Sequence, residues 1–133
     1  MRSPSGTVSI TNSLIVDNYG IGIYGASDYD HWTITGNTIT GNGDDGIRLD
    51  DYRLSATVSD NVIADNAGGV YFQTLREDFV FSGNTVSNNA QNGLQYENPD
   101  QSSDWATDSI TVTNNTIIGN SSYGISIDDR GDA

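Results

Sequence analysis

The sequence predicts an all-β solenoid of about five coils, because one nine-residue segment recurs five times in its 133 residues. Every copy has an apolar residue at its first and sixth positions and an asparagine at its ninth. The copies lie at residues 10–18, 34–42, 58–66, 81–89 and 112–120. A repeat of this length is typical of stacked architectures, in which one repeat cannot bury its apolar side alone.

Each repeat contains three short runs in which apolar and polar residues alternate, which is the pattern of β-strands. In the second repeat these runs are residues 32–34, 38–40 and 47–49. Glycine, asparagine and aspartate separate the runs, as is typical of turns. Coils that stack in register at about 4.8 Å would therefore form three short parallel sheets around a narrow interior.

The aligned apolar residues predict which side chains fill that interior. In the third run, Ile21 is aligned with Ile47, and Ile23 with Leu49. The five predicted inward columns are Val8/Trp32/Ala56/Phe79/Ile110, Ile10/Ile34/Val58/Phe81/Val112, Ile15/Ile39/Ile63/Val86/Ile117, Ile21/Ile47/Val70/Leu94/Ile125 and Ile23/Leu49/Phe72/Tyr96/Ile127.

Two further columns consist almost entirely of asparagine, and we interpret them as scaffold. They are Ser13/Asn37/Asn61/Asn84/Asn115 and Asn18/Asn42/Asn66/Asn89/Asn120. An amide side chain can donate to one coil while it accepts from the next, and asparagine also tolerates left-handed turn geometry. The glycines that open the third runs are expected to need a positive φ. They are Gly20, Gly46, Gly69, Gly93 and Gly124.

This pattern resembles the right-handed, single-stranded parallel β-helix of the pectate-lyase-like superfamily, which includes pectate lyases, polygalacturonases, alginate C5-epimerases and phage tailspikes. The resemblance covers residues 8–128 and identifies residues 1–133 as a single β-helix domain or a segment of a longer solenoid. It implies that a polysaccharide partner, an acidic glycan such as alginate or pectate, lies over the sheet formed by the third runs. It does not fix the activity, because unrelated functions share this fold.

The charge balance excludes some partners. Eighteen acidic residues, sixteen of them aspartate, face five arginines and no lysine, so the formal net charge is -13. Such a chain repels nucleic-acid phosphates and anionic membranes, and no apolar run is long enough to span a membrane. The excess of aspartate resembles proteins of salt-loving archaea, so we expect a halophilic source. We also expect an extracellular or cell-surface location, although residues 1–6 lack the apolar core of a secretion signal.

The outward residues of the third runs are the candidate substrate contacts, because their polar groups can hydrogen-bond the hydroxyls and carboxylates of a sugar chain. They align as Gly22/Arg48/Tyr71/Gln95/Ser126 and Tyr24/Asp50/Gln73/Glu97/Asp128. The candidate substrate-binding residues are Tyr24, Arg48, Asp50, Tyr71, Gln73, Gln95, Glu97 and Asp128. The alternative interpretation is that these are ordinary solvated strand residues.

A polysaccharide lyase or C5-epimerase needs a base, a proton donor and a cation that neutralises the sugar carboxylate. His31, Tyr71 and Arg48 are the candidate catalytic residues for these roles, with Tyr52 and Arg53 as alternatives. Whether the chain is an enzyme at all stays open at this point, and glycoside hydrolysis is the less favoured chemistry.

Two short segments resemble parts of family signatures. Residues 28–31 retain only the Asp-His pair of the Asp-Pro-His-Asp motif of alginate epimerases. Asp44 and Asp45 resemble the paired aspartates of polygalacturonases, which act as acid and base on a glycosidic bond. The other polygalacturonase signatures, Asn-Thr-Asp, His-Gly and Arg-Ile-Lys, are missing. We therefore interpret Asp44 and Asp45 as turn residues in the first place.

Calcium is the one cofactor that the sequence suggests. Asp44, Asp45, Asp50 and Asp51 are the candidate metal ligands, because calcium takes several oxygen ligands. The chain has no twelve-residue calcium loop, so a site would have to form between coils.

Two other functions are compatible with the pattern. The main alternative is a structural spacer or adhesin-like stalk whose repeat is its purpose. A minor alternative is ice binding through outward threonines and serines of the first runs, such as Thr33 and Thr57. The 98–108 loop accounts for the longest spacing and is a candidate functional loop. Because neither end has a polar cap, we expect end-to-end self-association or adjoining domains of a parent chain.

Overall fold

The computed structural model describes residues 6–26, 30–51, 53–73, 78–98 and 109–129, and its regular elements there are all β-strands. Within these ranges no helix is long and apolar enough to cross a membrane. The strands are β1 (Thr7–Thr11), β2 (Leu14–Val16), β3 (Ile23–Gly25), β4 (His31–Thr35), β5 (Thr38–Thr40), β6 (Asp45–Asp50), β7 (Ser55–Ser59), β8 (Val62–Ala64), β9 (Gly68–Gln73), β10 (Phe79–Ser82), β11 (Thr85–Ser87), β12 (Leu94–Asn98), β13 (Ile110–Thr113), β14 (Thr116–Ile118) and β15 (Ile125–Asp129).

The strands form three five-stranded parallel sheets, and each repeat contributes one strand to each sheet. The first sheet has the order β1-β4-β7-β10-β13, and the second has the order β2-β5-β8-β11-β14. The third sheet has the order β3-β6-β9-β12-β15. Neighbouring strands pair in parallel in all three. The predicted fold class, an all-β parallel β-helix with three short sheets, is confirmed.

The interior contains the predicted apolar columns of the first and second runs. Ile34, Val58 and Phe81 occupy one column in three successive coils, and each is 0% exposed. Aromatic rings from different strands stack beside them, with 4.1 Å between the ring centroids of Phe72 and Phe79. Burial of these side chains supplies the main stabilising free energy of such a fold.

Both asparagine columns form continuous ladders of hydrogen bonds, as the sequence predicts. The backbone N–H and the Nδ2 of Asn61 both donate to Oδ1 of Asn84, at 3.0 Å each. The same Nδ2 also donates to the carbonyl oxygen of Ile34 at 2.9 Å, and Oδ1 of Asn61 accepts from Asn37. Each inner amide therefore satisfies both of its polar atoms although the side chain is buried, which avoids the cost of an unpaired buried group.

The predicted alignment of the third run is wrong in the first coil. Ile23, rather than Ile21, pairs with Ile47, and Tyr24 pairs with Arg48, so the true register is shifted by two residues. The inward position opposite Leu49 is therefore held by Gly25 instead of Ile23. A Cβ at Gly25 would lie 2.7 Å from the side chains of both Leu49 and Trp32, so the large indole occupies this space.

Positive φ angles occur elsewhere than predicted. The left-handed residues directly precede the ladder positions rather than forming part of them, and the glycines among them are Gly36, Gly41, Gly83 and Gly119. Three of the glycines that open the third runs, Gly46, Gly69 and Gly93, are needed for close approach instead. A Cβ at Gly46 would lie 2.9 Å from Nδ2 of Asn66 and 3.1 Å from the carbonyl oxygen of Gly69. A larger residue there would separate the coils.

Candidate functional site

The third sheet presents a row of polar side chains on its outer surface, and we call it the polar strip. It comprises Tyr24, Arg48, Asp50, Tyr71, Gln73, Gln95, Glu97 and Asp128. The register places Arg48 beside Tyr71 and Tyr71 beside Gln95. It also joins Asp50, Gln73, Glu97 and Asp128 in one column. Only Tyr24 departs from the predicted columns, because it lies beside Arg48 rather than Asp50.

Arg48 is the centre of the strip. Its Nε donates to Oδ2 of Asp50 at 2.9 Å, and its guanidinium lies 3.7 Å from Oδ2 of Asp45. The guanidinium carbon is also 4.7 Å from the centroid of the Tyr71 ring, a cation–π distance. The hydrogen bond from Arg48 to Asp50 is the main cause that raises the pKa of the guanidinium, against the effect of its partial burial. Three contacts thus hold one partly exposed cation in place.

A second set of hydrogen bonds continues the strip from Tyr71. The hydroxyl of Tyr71 donates to Oε2 of Glu97 at 2.9 Å, and Nε2 of Gln95 donates to Oε1 of the same carboxylate at 2.7 Å. Nδ2 of Asn92 donates to Oε1 of Gln95 at 2.8 Å. Partial burial, followed by the contact with Glu97, raises the pKa of Tyr71 to about 12. The phenol therefore stays protonated near neutral pH.

The ionisation of the Asp45 carboxyl group is strongly disturbed by its surroundings. Burial raises its pKa to about 6, and repulsion from Asp44 adds to the shift, while Arg48 opposes it. Burial dominates because the 3.7 Å contact with Arg48 is long for an ion pair, whereas only 15% of the Asp45 side chain is exposed. Asp45 therefore exchanges its proton in mildly acidic solution.

Tyr24 extends the strip into the first coil. A hydrogen bond with Asp50, followed by repulsion from the same carboxylate, raises the pKa of the Tyr24 phenol. Tyr24 is 57% exposed, more than Tyr71, the other aromatic residue of the strip. Tyr24 therefore offers a ring surface to a ligand while its hydroxyl is anchored.

The structure unites two of the three candidate catalytic residues. Arg48 and Tyr71 are in contact on the third sheet, whereas His31 lies on β4 of the first sheet. Nδ1 of His31 lies 2.7 Å from Oγ of Ser55. The alternative residue Tyr52, the motif residue Asp28 and most of the 98–108 loop lie outside the described residues.

The candidate calcium ligands do not converge on a common centre of their own. Asp45 and Asp50 both face the guanidinium of Arg48, so the positive charge between them is already supplied by the protein. Among the described residues, no group of three or more histidine, aspartate or glutamate side chains is positioned to hold a metal ion. Calcium stays a prediction that depends on oxygen atoms from a ligand.

The hydroxyl array of the first sheet is in register, as the ice-binding alternative requires. Thr33 pairs with Thr57, and Thr57 pairs with Val80, which interrupts the hydroxyl column. Oγ1 of Thr35 lies 3.1 Å from Oγ of Ser59, so two of these hydroxyls bond to each other.

Sequence reasoning missed one member of the network, Asn92, and it named Asp45 only as a candidate metal ligand and a turn residue. Both immediately precede a glycine that opens a third run, Gly93 and Gly46. Their shared position in the repeat was the available signal, although the other repeats have Tyr19, Gly68 and Tyr123 there. The side-chain direction at this position, however, becomes visible only once the register of the third sheet is known.

The sequence was compared with protein families, curated proteins and solved structures. The family model described as the right-handed beta helix region matches residues 1–103. The searches of curated proteins and of solved structures found no match.

Proposed function

This chain belongs to the right-handed β-helix family, and we propose that its polar strip binds an extended polysaccharide. The observation that carries the proposal is the network formed by Arg48, Tyr71, Glu97 and Gln95. It crosses three neighbouring strands, β6, β9 and β12, on one outer sheet surface. A linear ligand that lies across parallel strands meets such groups at a regular spacing of about 4.8 Å.

The network favours binding because its side chains are already held in one arrangement. Glu97 fixes both Tyr71 and Gln95, and Asp50 fixes Arg48. Less side-chain entropy is then lost when a ligand binds, which is the usual advantage of a preorganised surface. The exposed ring of Tyr24 adds an apolar surface for the flat face of a sugar.

The charge of the strip bears on how it would bind an acidic glycan. Asp45 and Asp50 balance Arg48, and Glu97 adds a further carboxylate. For alginate or pectate we therefore propose a calcium-dependent mode, in which oxygen atoms of the sugar and of the strip share the ion. A neutral glycan would bind through hydrogen bonds alone.

The same geometry supports binding more than bond cleavage. A lyase or epimerase needs a group that accepts the proton beside the sugar carboxylate. Tyr71 has a pKa of about 12 and donates a hydrogen bond to Glu97, so it is suited to hydrogen bonding rather than proton abstraction. His31 lies on a different sheet from Arg48. The lyase and epimerase activities remain secondary proposals on this ground.

Affinity electrophoresis tests the proposal directly. The protein is run in gels cast with alginate, pectate or a neutral glucan, each with calcium or with a chelator. We expect retardation by at least one glycan and a loss of about thirtyfold in affinity in Tyr71→Ala, which corresponds to the roughly 2 kcal/mol of an interface hot spot. Tyr19→Ala is the matched control, because Tyr19 is a fully exposed tyrosine outside the strip. Unchanged mobility of the folded protein in every gel would contradict the proposal.

A structural solenoid is the second candidate function. It is favoured because hydrogen bonds within the chain satisfy polar groups of the ladders and of the strip. Buried amides such as Asn61 and Asn84 are satisfied by neighbouring coils, and Glu97 is satisfied by its neighbours on the sheet. For a spacer of this kind, Tyr71→Ala and Tyr19→Ala should behave alike in every gel.

A further inference from the structure

We propose that Asn114 is an acceptor site for an N-linked oligosaccharide. The chain contains two Asn-x-Ser/Thr triplets, the motif whose asparagine accepts such glycans in secreted proteins. They are Asn114-Asn115-Thr116 and Asn120-Ser121-Ser122. The structure distinguishes between them, because the first asparagine is accessible whereas the second belongs to a ladder. This proposal goes beyond glycan binding by the polar strip and does not depend on it.

Asn114 lies at the corner between the first and second sheets. It follows β13 directly and has a φ of 56°, and Thr116 is the first residue of β14. Asn115 stands between them and points into the solenoid, where its Nδ2 donates to the carbonyl oxygen of Phe81 at 2.9 Å. Asn114 and Thr116, on either side of this inward residue, are both exposed. The two side chains that define the motif are thus presented to solvent together.

The amide of Asn114 is available for reaction. Within the part of the chain that the structure describes, no residue accepts a hydrogen bond from its Nδ2. The neighbouring amide of Asn115, by contrast, is held on both sides, since its Oδ1 also accepts from Nδ2 of Asn84 at 3.1 Å. A sugar on Asn114 would therefore replace an amide hydrogen that stabilises no contact within the described fold.

The exposure of this corner does not depend on what lies beyond the last described coil. Asp60 occupies the position of Asn114 in the third coil, and Thr85 occupies the position of Thr116 in the fourth. Both Asp60 and Thr85 are exposed although a further coil is stacked on each of them. The corner is therefore open to solvent along the solenoid, and inner coils show it directly.

The second motif lies in a ladder, and the fold excludes its modification. Nδ2 of Asn120 donates to the carbonyl oxygen of Val86 at 3.2 Å, and its Oδ1 accepts from Nδ2 of Asn89 at 2.9 Å. A single carbon added to Gly93 would already lie 2.8 Å from Nδ2 of Asn120. A sugar ring on that nitrogen would clash with the neighbouring coil, so Asn120 should stay unmodified in the folded protein.

The modification is the transfer of an oligosaccharide from a lipid diphosphate donor by a transferase of the secretory route. Nδ2 of Asn114 forms a bond to the anomeric carbon of the sugar, and the bond from that carbon to the diphosphate oxygen breaks. Its electron pair leaves with the diphosphate, and the amide nitrogen loses one proton. Thr116 supplies the hydroxyl of the motif. The step requires export of the chain, in keeping with the expected extracellular location.

A glycan at this corner would leave the polar strip accessible. Asn114 lies between a strand of the first sheet and a strand of the second, whereas the strip lies on the outer surface of the third. The oligosaccharide would therefore add hydrophilic bulk to the solenoid without covering Arg48 or Tyr71.

The test is secretion of the chain, behind a cleavable signal, from cells that attach N-linked glycans. The folded, secreted protein is compared by gel mobility and peptide mass before and after treatment with peptide-N-glycosidase, which leaves an aspartate in place of a modified asparagine. We expect a glycan at Asn114 and none at Asn120. An unmodified protein would overturn the proposal, and so would a glycan at Asn120 instead of Asn114.

Three substitutions assign the site. Thr116→Val removes the hydroxyl but keeps a β-branched residue at an exposed strand position, and it should abolish the glycan. Asn114→Asp should abolish it as well, and the turn should tolerate this change because Asp60 has the same φ of 56° in the equivalent turn. Ser122→Ala disrupts the second motif at an exposed residue and is the matched control, which should keep the glycan. A glycan retained in Thr116→Val, or lost in Ser122→Ala, would contradict the assignment to Asn114.

Discussion

At the scale of single residues, neighbouring asparagines of this chain have different roles. Asn88 is exposed and has a φ of 56°, whereas Asn89 is fully buried in a ladder. The left-handed position also accepts aspartate, as Asp17 and Asp65 show in the same turn of other coils. The ladder position requires an amide, because it must donate and accept at once.

This difference yields a prediction for one substitution at two adjacent positions. Asn89→Asp removes the donor to the carbonyl of Ile63 and to Oδ1 of Asn120, and it buries a carboxylate against those oxygens. We expect a loss of about 3 kcal/mol or more in the free energy of unfolding. Asn88→Asp is the control and should change it by less than about 0.5 kcal/mol. Urea denaturation of both variants is the measurement, and equal losses would contradict the ladder account.

The raised pKa of Asp45 predicts how stability depends on pH. Because its folded-state pKa of about 6 exceeds the usual value of 3.8, the folded protein binds this proton more tightly than the unfolded chain. The contribution of Asp45 therefore favours folding below pH 4 and is lost as the pH rises toward 6.

Asp45→Asn should remove this dependence. As the pH rises from 4 to 7, we expect the free energy of unfolding of the variant to increase by about 1–3 kcal/mol relative to that of the natural protein. This range allows for the weak ion pair with Arg48. Asp17→Asn, which removes the same charge from an exposed turn, is the control. Denaturant unfolding at several pH values checks this, and parallel pH profiles of the natural protein and Asp45→Asn would refute it.

At the scale of strands and sheets, the sequence predicts most of the architecture because the repeat imposes its register on every coil. Inward residues such as Ile39 and Ile63 are aligned by the turns that flank them. The repeat does not fix the register of the third run in the first coil, since the segment 20–23 contains two overlapping glycine–apolar patterns. Packing of Trp32 against Gly25 decides between them, and that contact joins residues of different strands.

The polar strip illustrates the same limit. Its residues could be assigned to one surface from the alternation of the third strands, but their partners could not. The contacts from Arg48 to Asp45 and from Asn92 to Gln95 depend on side-chain rotamers, which a repeat does not encode. His31 follows the third strand closely in the sequence yet belongs to the first sheet, where it pairs with Thr7 and Ser55.

The network of the strip makes a spectroscopic prediction at this scale. Partial burial is the largest cause of the raised pKa of Tyr71, and the hydrogen bond and the charge of Glu97 add to it. Glu97→Gln should therefore lower that pKa toward the usual value of 10, measured as tyrosinate absorbance in an alkaline titration. Tyr71→Phe in both backgrounds isolates this phenol from the other tyrosines. An unchanged titration would show that the contact with Glu97 does not persist in solution.

At the scale of the whole molecule, repulsion between the acidic surface residues opposes the stability that the solenoid gains by burying its apolar side chains. A stack of coils buries its apolar side chains in a narrow column, whereas the exposed turns carry aspartates such as Asp17, Asp60 and Asp65. These residues supply the left-handed turns, with φ near 55° in each case. The local need for turn residues thus contributes to the net charge of -13, which destabilises the compact state when it is unscreened.

Salt should therefore stabilise the folded monomer, as a halophilic origin would require. Between about 0.1 M and 1 M we expect a gain of roughly 1 kcal/mol, a few degrees in Tm, at concentrations where sedimentation shows a monomer. Sodium and potassium chloride should act alike, because screening depends on ionic strength.

A variant with fewer charged turns tests the cause of the salt effect. Replacing Asp17, Asp60 and Asp65 by asparagine changes the net charge by three, from -13 to -10. Asparagine already occupies equivalent turns at Asn12 and Asn88. The stability of that variant should increase less with salt than the stability of the natural protein. An equal increase would show that salt acts by strengthening the burial of apolar surface instead of by screening the repulsion between carboxylates.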